Sequence, residues 1–309
     1  MSLIVTGTIG IDTVHTPTGS VEEVLGGSCA YFAAAASFLS PVRIVSAVGD
    51  DWPADHRAKL TSFKAICTEG LEERAGSKTF RWGGRYEPNM NDRETLFTEL
   101  GVVEEHPPAI PAAYCDSKFV FLANTHPAVQ MGLLEQFPNR TIAMADSMDL
   151  WINIAHDDLL ALLKKIDGIV INDSEAEQLT EIRNPISAGR KILQMGPKFV
   201  IIKKGEHGAV LVHQDGLAVT PAFPAATEQV IDPTGAGDSF AGGLMGHLAA
   251  TGRADVEAVQ EGMTWGTVIA SMTVSAFGLE GLAAATRESV DERMADFQRI
   301  ARVGAAVYA

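Results

Sequence analysis

The sequence predicts an α/β fold of the doubly wound class, a mostly parallel sheet flanked by helices, with a small β lid. Three observations lead to it. Short β-branched apolar runs without alternation, the pattern of strands covered on both faces, recur along the chain. Helical segments separate them. Two stretches that do alternate polar and apolar residues interrupt this rhythm early in the chain. With 309 residues, 46% hydrophobic and 20% charged, the chain can bury a large core.

In order, residues 3–7 read as the first strand, 28–39 as an Ala-rich helix and 42–48 as a strand. Residues 118–123 (KFVFLA) and 141–145 are apolar strand runs with a helix at 128–136 between them. Residues 167–171 and 198–202 repeat the pattern, with helices at 174–180 and 186–195. The alternating stretches, approximately 12–24 and 78–100, read as exposed antiparallel strands able to close over a ligand. After Val230 the chain becomes helical: 236–250, 255–277 and 289–303, the last with Asp291 and Glu292 near its start and Arg299 and Arg302 near its end, as the helix dipole favours.

A formal charge of −15 argues against nucleic-acid or membrane-surface binding, and no basic patch offsets it. The opening residues MSLIVTGTIGID lack a basic n-region and no apolar run approaches the roughly 18 residues of a spanning helix, so a cytoplasmic protein is expected. Cys29, Cys67 and Cys115 fit no disulfide or zinc spacing and are expected to be small buried hydrophobes.

The segment Asp232-Pro233-Thr234-Gly235-Ala236-Gly237-Asp238-Ser239-Phe240-Ala241-Gly242-Gly243 carries the chemistry. Gly235, Ala236 and Gly237 are small residues expected directly before a helix, where backbone N–H groups can converge on an anion. Asp238 beside them is placed to accept a proton, and a cradle next to a base is what phosphoryl transfer requires. A dinucleotide fingerprint would need Gly where Phe240 stands, and no GxxxxGK[ST] occurs.

DPTGAGDSFAGG resembles the C-terminal signature of the PfkB, or ribokinase-like, carbohydrate and nucleoside kinases, and Gly26-Gly27 in VLGGSCAYF is similar to a second family motif. Further matches follow in family order: Asp12 at the end of the first strand, Gly49-Asp50, Asp146, Asn172-Asp173-Ser174-Glu175 and the run from Lys203 to Gly208. The resemblance implies one ribokinase-like domain over residues 1–309 with the lid inserted in it. It implies Asp238 as catalytic base, an anion hole at Gly235–Gly237, nucleotide contacts at Asn172, Lys203, Gly205 and Gly208, and Glu175 organising Mg²⁺ through water. Acceptor contacts would come from Asp12, Gly26, Gly27 and Tyr31. ATP, Mg²⁺ and a small hydroxyl acceptor are the implied ligands, with a monovalent cation near Asp232 used by some relatives. Where sugar kinases commonly have Asn, this chain has Tyr31, which exchanges an amide for an aromatic face and points to a ringed acceptor such as a nucleoside or cyclitol rather than a free pentose. The resulting expectation is an ATP-dependent kinase of a sugar, cyclitol or nucleoside hydroxyl, primary in type, acting as a monomer or a lid-mediated homodimer. The alternative is a catalytically silent ligand-binding protein on the same fold.

Overall fold

The computed structural model describes residues 2–301. Strand β1 (Leu3–Thr6) leads into a hairpin, β2 (Gly10–Thr16) and β3 (Gly19–Gly26), then helix α1 (Ser28–Ala36), β4 (Val42–Gly49), α2 (Ala54–Ser62) and β5 (Ile66–Arg74). A second hairpin, β6 (Phe80–Tyr86) and β7 (Arg93–Glu99), precedes β8 (Phe119–Leu122), α3 (Pro127–Leu134), β9 (Ile142–Ala145), α4 (Asp149–Ile154) and α5 (His156–Leu163). Next come β10 (Gly168–Asn172), α6 (Asp173–Thr180), α7 (Pro185–Leu193), β11 (Phe199–Lys203), β12 (Ala209–His213) and β13 (Gly216–Thr220). Four helices follow: α8 (Ala236–Thr251), α9 (Val256–Thr273), α10 (Glu280–Ala283) and α11 (Arg287–Ile300).

The large sheet runs β13-β12-β11-β10-β9-β8-β1-β4-β5. It is parallel from β11 to β5, and β12 and β13 add an antiparallel edge. Both faces are covered, as the unbroken apolar runs require. Leu3 and Val5 enter one core with residues of α1, α8 and α9, while Ile4 enters the other with residues of α3 to α7. Because β1 lies between β4 and β8, the chain winds away from it on both sides, and at such a reversal a crevice opens at the carboxyl ends of the strands.

Helix α8 lies very close to its neighbours. A Cβ at Gly242 would overlap the carbonyl of Phe32 in α1, and one at Gly243 would stand 2.9 Å from Gly266 in α9. The two glycines that end the DPTGAGDSFAGG segment thus set the depth of the helix, which fixes the position of its N-terminus.

The second sheet, β3-β2-β6-β7, is the lid. Either hairpin alone would be marginal in water, but β2 and β6 pair in parallel and join them into four strands. Val14, Trp82 and Tyr86 give this sheet an apolar inner face that packs with Phe277 of the main body. One hairpin tip is tied down by Thr18 Oγ1, which donates to the Ile231 carbonyl at 3.0 Å. At the root, the Thr79 N–H donates to Asp51 Oδ1 at 2.7 Å, and Arg81 pairs with Glu23 and Asp51.

Four expectations are corrected. Asp12 does not end the first strand: β1 stops at Thr6 and Asp12 sits inside lid strand β2, where a register shift interrupts the pairing with β3 directly after it. The helix expected over 255–277 stops at Thr273, because residues 274–279 turn back to deliver Gly278 to Asp232. Cys29 is buried, but Cys67 and Cys115 are exposed, on edge strand β5 and a surface turn. The last helix begins earlier, at Arg287, and Arg302 and Val303 lie outside the described residues. No helix among the described residues is long and apolar enough to cross a membrane.

Candidate active site

The carboxyl edge of the sheet gathers the chemistry-bearing side chains. Asn172 ends β10 and Lys203 ends β11, and the parallel register sets them side by side. Asp146 follows β9 directly. Facing them, α8 begins at Ala236 with Gly235 as its N-cap. Ala236 and Gly237 therefore form the first helical turn rather than preceding it; the Ala236 N–H donates to the Pro233 carbonyl at 3.2 Å, and the N–H groups that follow it lie at the positive end of the helix.

Gly235 adopts φ 74°, the left-handed conformation that favours glycine, and a Cβ there would overlap the Tyr31 ring. Thr234 and Asp232 hold this loop from behind. Asp232 Oδ1 accepts the Thr234 N–H at 2.8 Å, and Oδ2 accepts the Gly278 N–H at 3.1 Å, so a fully buried carboxylate staples the loop to the turn after α9. Lys203 reaches the same turn: a Cβ at Gly237 would stand 2.6 Å from Nζ. A helix N-terminus and an ammonium thus converge where an anion would lie.

Asp238 is half-buried in the first turn of α8. Removal from water raises its pKa above the ordinary carboxylate range, although Lys203 and Arg93 pull it back. Asp146, deeper and with Oδ1 lacking any partner, is pushed up further by burial and then by Asp238.

On the other side of the loop lie Asp12, Gly26, Gly27 and Tyr31. The Asp12 carboxylate rests against Gly26, where any Cβ would overlap it, and takes a hydrogen bond from the Gly27 N–H. Gly27 is the N-cap of α1. Burial, then the charge of Asp232, raises Asp12 to about 7, and its Oδ1 has no partner. Tyr31 is 1% exposed. Its ring is not an open stacking face, contrary to the sequence reading, because α1 packs directly beneath the α8 loop and the missing side chain of Gly235 makes the room. Only its hydroxyl, also unpartnered, faces Asp12, Asp232 and Asp238.

At the opposite end, Asn172 and Glu175 form a capping box on α6. Glu175 Oε2 accepts the Asn172 N–H at 2.8 Å and Asn172 Oδ1 accepts the Glu175 N–H at 2.7 Å. Glu175 is buried, and desolvation raises its pKa against the opposing pull of Lys203. Gly205 lies under the second lid tip: Asn91 Oδ1 would be 2.5 Å from a Cβ there. Gly208 is explained by packing, since a Cβ would overlap the Thr220 carbonyl, and it sits in the turn into β12. The sequence reading missed Arg93, whose guanidinium lies 5.4 Å over the Trp82 ring.

Comparison with known proteins agrees with this geometry. The model of the pfkB family carbohydrate kinases matches residues 124–282, more than half of the chain. The chain belongs to that family. This pfkB-family kinase is 29% identical over 251 residues to a cytidine kinase of Thermococcus kodakarensis, covering 79% of this chain and 87% of the relative. A nucleoside kinase of Methanocaldococcus jannaschii superposes with a TM-score of 0.75 at 21% identity, covering 96% of this chain and 98% of the other. A protein of Escherichia coli solved in complex with ATP and Mg²⁺ superposes with a TM-score of 0.75 at 17% identity, covering 96% and 100%. The pfkB-family kinase is thus a sugar or nucleoside kinase with the ribokinase fold.

Proposed function

We propose that this enzyme transfers the γ-phosphoryl group of ATP to a primary hydroxyl of a nucleoside, with Asp238 as general base and the Gly235–Gly237 amides as anion hole. The observation that carries the reading is the pairing of unsatisfied groups with a cradle. Asp12 Oδ1 and the Tyr31 hydroxyl are buried without partners beside Asp238, while the first turn of α8 and Lys203 face an anion from the other side. An acceptor with adjacent hydroxyls would satisfy the first set and the transferring phosphoryl group the second. The nucleoside class is favoured by the named relatives, one a cytidine kinase and one a nucleoside kinase.

In the reaction the acceptor oxygen bonds to the γ-phosphorus and the bond to the β-phosphate oxygen breaks. The acceptor proton passes to Asp238 and ADP leaves. Asp12 orients the acceptor, and Asn172, Lys203, Gly205 and Gly208 line the nucleotide end. Asp232 belongs to this machinery as the staple of the anion loop. The donors at the nucleotide end suit Mg²⁺: Glu175 keeps Oε1 free of its capping bond, Asp146 Oδ1 is orphaned, and both are hard oxygens. Bound there, Mg²⁺ would neutralise phosphate charge. The whole chain acts as one catalytic unit, and the exposed edge strand β7, with Leu96 and Phe97 open to solvent, favours lid-to-lid pairing of two copies over a monomer.

The test is acceptor-dependent ADP release with pentoses, hexoses, inositols and nucleosides. Nucleoside activity without free-sugar activity is expected, and Asp238→Asn should reduce turnover by roughly three orders of magnitude while leaving acceptor affinity close to wild type. Efficient phosphorylation of free ribose or fructose would overturn the acceptor class, and a fully active Asp238→Asn enzyme would overturn the mechanism.

A further inference from the structure

The burial of the Tyr31 ring leaves the ring of a nucleoside without a face to rest on at α1, and a recess beside Gly27 offers one. Its floor is the backbone at the carboxyl ends of β1 and β4: Gly7, Thr8, Ser46 and Ala47. Val102, Val103 and Pro107 form one wall, and Val129 and Leu133 of α3 form the other. Thr8 joins this recess to Gly27 and Asp12. Its carbonyl lies 2.5 Å from where a Cβ on Gly27 would stand, its hydroxyl pairs with that of Ser28 at 3.1 Å, and the Asp12 carboxylate takes its hydrogen bond from the same Gly27.

The wall after the lid is pinned in place. The buried Arg74 guanidinium donates to the Val102 carbonyl at 3.2 Å and to Glu105 Oε2 at 3.3 Å, and the Val102 N–H donates to the Lys78 carbonyl at 2.8 Å. Between these apolar walls stands one polar side chain that the protein does not satisfy. Thr125, 9% exposed, lines the recess just ahead of α3, and among the described residues its hydroxyl makes no hydrogen bond. Apolar walls with a hydroxyl at the edge suit a flat heterocycle, whose faces are apolar and whose rim carries donors and acceptors, since a hydroxyl can serve either. The recess holds about 40 Å³, room for about three water molecules. A pyrimidine ring displaces roughly that many, and the fused rings of a purine displace more.

We propose that this recess receives the base of the acceptor, that its size selects pyrimidine over purine nucleosides, and that Thr125 is the residue that reads the ring edge. This rests on the nucleoside reading above. In a ribonucleoside the carbon that bears the base is next to one that bears a hydroxyl, and the primary hydroxyl is at the opposite end of the sugar. With the adjacent hydroxyls on Asp12, one orientation sends the base past Thr8 into the recess and the primary hydroxyl towards Asp238. A purine in that orientation would press on the floor or on the pinned wall, so discrimination comes from exclusion as well as from fit.

The experiment measures kcat/KM of the wild type for cytidine, uridine, adenosine and guanosine, and the affinity of the better pyrimidine nucleoside by titration calorimetry for wild type, Thr125→Val and Val129→Phe. Both pyrimidine nucleosides should exceed both purine nucleosides by at least about 30-fold. Thr125→Val keeps the shape and removes the hydroxyl, and should lower nucleoside affinity about tenfold. Val129→Phe fills the recess from α3 and should lower it at least about 30-fold. In both variants ADP affinity should stay within about threefold of wild type, because the nucleotide end is untouched. If Val129→Phe does not fold, Thr125→Val decides alone. A wild type that prefers a purine nucleoside, or a folded variant whose nucleoside affinity is unchanged or falls only in step with that for ADP, overturns this proposal and leaves the nucleoside reading standing. A wild type that phosphorylates free sugars but no nucleoside, or no acceptor at all, overturns both.

Discussion

Asp12→Asn should stabilise the ligand-free protein while abolishing acceptor binding. Asp12 is 3% exposed, its Oδ1 has no partner, and Asp232 and Asp238 add like charge. Its pKa rises from 3.8 to about 7, which corresponds to about 4 kcal/mol against the ionised form. The sign follows from proton binding. Between these two values the folded chain holds a proton that the unfolded chain has lost, so the burden on the folded state is absent below pH 4, grows as pH rises, and is complete above pH 7. Asn keeps the shape, still offers the Gly27 N–H an acceptor and carries no charge. The variant should therefore match wild type near pH 4 and exceed it by up to about 4 kcal/mol at pH 8, or about 6 °C in Tm for a chain of this length. Thermal melts of both proteins from pH 4 to pH 8 give the difference directly. A variant that is less stable than wild type at pH 8, or a difference that does not vary with pH, would refute the reasoning.

Two further outcomes follow from the nucleotide end. Glu175→Gln retains an oxygen for the Asn172 N–H and removes a buried charge, so its Tm at neutral pH should be no lower than wild type, whereas Glu175→Ala loses the capping box and should cost about 1 kcal/mol relative to Glu175→Gln; both should lower kcat and raise the Mg²⁺ requirement, read from melts and Mg²⁺ titrations. Lys203→Met removes a charge that holds the pKa of Asp238 down, so the acid limb of the kcat profile should move to higher pH and the KM for ATP should rise; an unmoved acid limb would show that Asp238 is not the group titrating.

The strands β1, β4 and β8 to β11 are legible in the sequence because each is an apolar run buried on both faces. Other elements carry no such signal. Helix α2 (ADHRAKLTS) buries only His56 and Leu60, too few to mark a stripe, and the edge strands β5 and β13 mix exposed polar with apolar residues. Within the site, Asp238 and its glycines are legible because a tight turn with Gly235 at positive φ, leading straight into a closely packed helix, demands small residues at fixed places. Arg93 is not, because its place over the Trp82 ring arises from a cross-strand register with Tyr86 that no local pattern encodes. Tyr31 shows the converse: the residue type was readable, but which surface of its ring is free depends on how α1 meets α8. Glu175 combines two roles, since the geometry that caps a helix also fixes a carboxylate at the cleft.

The tight seat of α8 between α1 and α9 divides the enzyme into a part that cannot yield and a part that can. Gly242, Gly243 and Gly266 leave no slack behind the helix, so Asp238 and the first turn of α8 hold their place whatever occupies the cleft. The lid sits on the body through lighter contacts, the Thr18 hydrogen bond at one hairpin tip, the Thr234–Tyr86 hydrogen bond and packing on Phe277. On the proposed reading, new acceptors can be accommodated by altering the lid while α8 stays as it is, whereas a methyl group added at Gly242 would displace Asp238 and its turn together.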